Sequence, residues 1–200
     1  MRALGSDDCK APGRPAREWI PGRTAAAVIN IIGVLAVPAG LTLHFFLWAR
    51  GQSAGGWSFD IVQLLIGIAV TVVLTAILLV VHEAVHAVVM RIFGARPTFG
   101  FTRIGGKIPV AYCIAPGRRF TKSQYVIIAL APLVLLGGGC ALIVAVVPFG
   151  GWLVLPAAVY LAGCAGDAAL VFTALRQPPG TLIEELPAGL KFVSFASASG

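Results

Sequence analysis

Four long apolar runs, separated by short polar connections, constrain this chain more than any other feature. They occupy residues 24–49, 61–90, 124–147 and 152–175, and each can cross a hydrocarbon core of about 30 Å at about 1.5 Å of helical rise per residue. In lipid the backbone polar groups must be satisfied within the segment, so runs of this kind fold as helices. Composition closes the alternatives. With 58% hydrophobic and 12% charged residues, the chain falls far below the roughly 25% charge of soluble domains and is too apolar to stay disordered. The expected fold class is an all-α polytopic membrane protein with four transmembrane helices. Residues 1–23 read as a polar N-terminal tail, 24–175 as one four-helix transmembrane domain, and 176–200 as a C-terminal tail. Within that last tail, Leu182 to Phe195 suggests an amphipathic segment at the interface.

Charge gives the orientation. Arg91, Arg96, Arg103, Lys107, Arg118, Arg119 and Lys122 lie between the second and third runs with no acid among them, whereas the first connection holds only Arg50 and the third no base. Basic loops stay inside, which places both termini in the cytoplasm. Trp48, Trp57 and Trp152 then fall near the outer interface, as in an aromatic belt. The net charge of +7 thus reports topology, and without a reader motif nucleic acid is not expected as a partner. The lipid bilayer is. Within the basic connection, Pro97 to Ile104 and Lys107 to Ile114 flank Gly105-Gly106 and carry β-branched and aromatic residues, a β-hairpin signal. Cys9, Cys113, Cys140 and Cys164 show no pairing pattern and read as reduced thiols.

The chemistry lies near the end of the second run, where His82-Glu83-Ala84-Val85-His86 forms an HExxH motif within a helical pattern. Positions i and i+4 share a helix face, so the two imidazoles can reach one metal ion. Glu83 lies beside them, where this motif uses a carboxylate as general base. Ionisable side chains inside a span are costly and are usually functional. The competing readings are a solvated helix end and a metal-free proton relay.

A tetrahedral zinc site needs a third protein ligand and one open position. His44 is excluded by depth, since it lies near the outer end of its run and reads as an interfacial residue. Asp167 lies nine residues before Arg176, as His82 lies nine before Arg91, which puts both about 13 Å from the cytoplasmic boundary. Ala158, Ala162 and Gly166 let the fourth helix approach a neighbour closely. Cys164 is an alternative ligand, and pairing of Asp167 with an arginine is a non-metal alternative.

HEAVH, the strand-like PVAYC of the basic loop, Ala131-Pro132 in the third run and Gly166-Asp167 in the fourth together resemble a membrane family of zincin peptidases, formerly known as a domain of unknown function. That family is similar to the site-two intramembrane metalloproteases. The resemblance covers about residues 75 to 175. It implies a zinc-dependent metallopeptidase acting on a membrane protein or peptide, with zinc as cofactor, His82, His86 and Asp167 as metal ligands and Glu83 as catalytic residue. One departure stands out: the Asn-containing motif around the site-two aspartate has no counterpart here. The alternative is a non-catalytic zinc-binding or transport protein, and a metal-free scaffold is a third reading.

Overall fold

The computed structural model describes residues 16–50, 60–104, 108–147, 150–187 and 189–194. Cys9, Trp57, Gly105-Gly106, Lys107 and Phe195, each used in the sequence reading, lie outside the described residues. The four apolar runs become four helical spans, Arg23–Arg50, Ile61–Ile92, Lys122–Val146 and Gly151–Leu175, each long and apolar enough to cross a membrane. The first is α1 (Arg23–Arg50) and the second α2 (Ile61–Ile92). The third comprises α3 (Lys122–Pro132), a π-helical turn over Leu133–Gly137 and α4 (Gly138–Val146). The fourth is interrupted at Cys164 into α5 (Gly151–Gly163) and α6 (Ala165–Leu175).

Close packing follows the small residues. On α1, a Cβ at Gly40 would stand 3.1 Å from the Ala158 backbone, and one at Gly33 would stand 3.1 Å from the Ala162 carbonyl. The stripe on the fourth span therefore meets glycines on the first, which is how membrane helices gain van der Waals contact without a hydrophobic drive. This approach also decides the surroundings of His44. It is buried at 1% exposure, with Nδ1 donating to the Gly40 carbonyl at 2.8 Å, on the helix that lies close against α5. By contrast, Val62, Leu65, Val72 and Val80 of α2 are exposed, as a lipid-facing surface requires.

Below the bundle, where α2 ends and α3 begins, the chain builds strands. The expected hairpin is β2 (Thr98–Ile104) paired antiparallel with β3 (Ile108–Ile114), and Cys113 lies opposite Phe99. The C-terminal segment differs from the amphipathic expectation: it folds as β4 (Leu182–Leu186) and β5 (Gly189–Val193). The N-terminal tail adds β1 (Arg17–Trp19), giving an antiparallel sheet of order β1-β5-β4. Alternation explains the change. Ile183, Leu190 and Phe192 need a dry face, and the bundle end supplies one. Phe120 and Ile183 exchange backbone hydrogen bonds at 2.8 Å each way, which fixes β4 against the start of α3. Met90, Phe120, Tyr125, Ile128, Ile183 and Leu190 form a fully buried cluster there. Each such side chain contributes about 1.5–3 kcal/mol by burial, so the sheet is held by a water-type core capping the lipid-type bundle.

Candidate metal centre

α2 carries His82 and His86 one turn apart, and both are buried. Their Nε2 atoms lie 3.1 Å apart, with the rings edge to face. α6 brings Asp167 to them from its first turn, just beyond the interruption at Cys164. Its Oδ2 lies 3.0 Å from His82 Nε2 and 3.7 Å from His86 Nε2. The donors of a tetrahedral zinc with bonds near 2.0–2.1 Å stand about 3.3 Å apart, so the spacing of these three atoms fits that ion.

The outer nitrogens decide what the inner ones offer. His86 Nδ1 donates to the Ile128 carbonyl at 2.9 Å. A carbonyl only accepts, so in the neutral ring Nε2 carries the lone pair. His82 Nδ1 meets the Tyr160 hydroxyl at 3.1 Å, and that hydroxyl is within hydrogen-bonding reach of Cys164. When the hydroxyl accepts from His82 Nδ1–H, His82 Nε2 also carries its lone pair, and lone pairs from two imidazoles and a carboxylate converge at one place. Such a donor set is stabilised by a cation, and tying up each Nδ1 is the usual way a protein orients metal-binding histidines.

Glu83 stands on the same turn as His82, outside the trio, and the backbone N–H of Cys113 in β3 donates to its carboxylate. The Cys113 thiol is pushed up to about 12, first by burial and then by the charges of Glu83 and Glu185. It therefore stays protonated at neutral pH. Cys164 packs against Tyr160 and is not one of the three clustered residues. Asp167 is paired with the histidines and not with an arginine among the described residues.

Two participants were not singled out from sequence. Tyr160 is two helical turns before Asp167, and a tyrosine buried in a span needs a partner for its hydroxyl, which was the available signal. Glu185 gave none, because its position depends on β4 docking at Phe120. Its Oε2 is buried without a hydrogen-bond partner, and burial raises its carboxyl to about 8, with His86 opposing the rise and Asp167 and Glu83 adding to it. A test of the Tyr160 contact is direct: Tyr160→Phe should weaken zinc binding by about 10- to 100-fold with the helical content retained. Unchanged affinity in a chelator competition would reduce Tyr160 to packing.

No curated protein and no solved structure matches the chain. Residues 74–182, just over half of the sequence and spanning both histidines, Glu83, Tyr160 and Asp167, match the family described as "Putative zincin peptidase", and the chain belongs to that family.

Proposed function

We propose that this protein is a membrane-embedded zinc metallopeptidase that hydrolyses a membrane protein or peptide near the cytoplasmic leaflet. The observation that carries this reading is the convergence of His82 Nε2, His86 Nε2 and Asp167 Oδ2 beside a carboxylate, Glu83, that is not needed to hold a metal. Zinc bound there supplies a Lewis acid for a carbonyl and lowers the pKa of water. His82, His86 and Asp167 hold the ion. Glu83 takes the proton from the attacking water and passes it to the leaving amine. The Cys113 N–H, donating to the Glu83 carboxylate, orients this base.

Substrate must reach the site extended, because a helix engages its own carbonyls. The β2–β3 ladder occupies one edge of β3, and the Cys113 N–H that reaches Glu83 belongs to the other. A substrate strand added to that free edge of β3 would lie across Glu83.

Purified protein should contain about one zinc per chain. A stoichiometric absence of metal in protein that retains its fold would overturn the reading. For orientation, cysteines introduced near Gly55 and near Gly150, as at the exposed Trp152, should react with impermeant reagents from outside, and one near Gly105 only after the membrane is opened. The reverse pattern would invert the charge-based topology.

A further inference from the structure

In an α-helix the carbonyl of Ile128 has one regular donor, the N–H of residue 132. Residue 132 is proline and has no N–H. The next donor along, the N–H of Leu133, goes to the Leu130 carbonyl. The Ile128 oxygen, buried within the bundle, would lack a donor at appreciable cost, and the donor it receives is Nδ1 of His86, at 2.9 Å. We propose that Pro132 is a positioning residue for the metal centre: by withholding one N–H from the third span, it keeps the Ile128 carbonyl for His86 and so aims His86 Nε2 at Asp167 and His82.

Three further observations fit this assignment. Pro132 is fully buried and keeps helical angles, φ −63° and ψ −42°, so the proline does not end the span. The helix absorbs it by passing into the π turn at Leu133–Gly137, a distortion that commonly accompanies functional positions. Tyr125, three residues before Ile128, shares its side of α3, and both pack in the buried cluster with Met90 of α2. The carbonyl is thus presented by the part of α3 that packs against α2. The Ala131-Pro132 pair, a sequence feature without a role in hydrolysis itself, acquires one in ligand geometry.

The proposal rests on the zinc centre proposed above, and its test separates the two. Pro132→Ala returns an N–H that competes for the Ile128 carbonyl. Lactic acid placed at position 132 by nonsense suppression gives an ester that, like proline, has no N–H. Zinc affinity is read by chelator competition, and the His86 Nδ1–H bond by its ¹⁵N NMR signal in zinc-free protein. The alanine variant should bind zinc about tenfold or more weakly and shift the His86 signal, while the ester variant should match wild type in both. If alanine leaves both readings unchanged, or the ester loses as much as alanine, the proposal fails and the proline acts only through its shape. Should wild type bind no zinc, the zinc reading falls on that result alone, and the His86 signal still decides whether Pro132 governs this hydrogen bond.

Discussion

Glu83→Gln is expected to lower peptide hydrolysis by about 10²- to 10⁴-fold, the usual contribution of a positioned general base, and to leave zinc content unchanged. Glutamine keeps the length of the side chain and an oxygen that can accept from the Cys113 N–H, so the local structure has no reason to move. It lacks the basic carboxylate. Because Glu83 is not among the three clustered ligand atoms, the charge change should not empty the site. The checks are cleavage of a peptide library by purified protein, metal content of the same preparation, and accumulation of an uncut membrane substrate in cells carrying the variant. If the variant and the wild type were equally active on every substrate, catalysis would be withdrawn in favour of the non-catalytic zinc-binding or transport reading. A companion substitution addresses docking. Ala111 is two residues from Cys113 on β3 and exposed, so its N–H points to the same free edge as that of Cys113. Ala111→Pro should therefore raise the KM for an extended substrate without disturbing the β2–β3 ladder or zinc. Unchanged KM would move the docking edge elsewhere.

What the sequence disclosed and what it concealed divide along physical lines. Spans of 24 to 30 apolar residues leave lipid-embedded helices little alternative, so four helices could be read to within two residues at each end. The HExxH spacing depends only on the period of one helix, and the matched depth of Asp167 only on helical rise. The hairpin was visible because β-branched and aromatic residues flank a glycine pair. By contrast, Tyr160, Glu185 and the Ile128 carbonyl reach the site through contacts between different spans, or between a strand and a helix end. Such contacts depend on where Gly40 meets Ala158 and where Ile183 pairs with Phe120, and no local period encodes them. The burial of His44 was missed for the same reason. Its neighbours Phe45, Phe46 and Trp48 suggest an interface, while the glycine one turn earlier determines that α1 lies against α5. The C-terminal strands were hidden because a short alternating segment reads alike as an amphipathic interfacial piece or a strand until a dry surface is there to receive it.

His82→Ala and His86→Ala should each reduce zinc content from about one per chain to near zero, because two remaining protein donors do not close a tetrahedral site. Each removal also strands a partner. Without His82 the Tyr160 hydroxyl keeps only Cys164 within reach, and without His86 the Ile128 carbonyl is left buried with no donor, at about 1–3 kcal/mol for an unsatisfied group. Loss of metal in these variants could therefore be secondary to a loosened bundle. Asp167→Asn is the sharper substitution. Asparagine matches the size of aspartate and keeps a carbonyl oxygen toward the histidines, so packing of the fourth span against the second should persist, yet it removes the negative charge that makes the carboxylate a ligand. Zinc affinity should fall while thermal stability of the zinc-free protein stays close to wild type. Retained affinity in Asp167→Asn would pass the third position to another donor, and Cys164 would be the first to test by Cys164→Ser. Loss of zinc in Asp167→Asn with Cys164→Ser unchanged would leave the three-residue site as the arrangement that both spans were built to bring together.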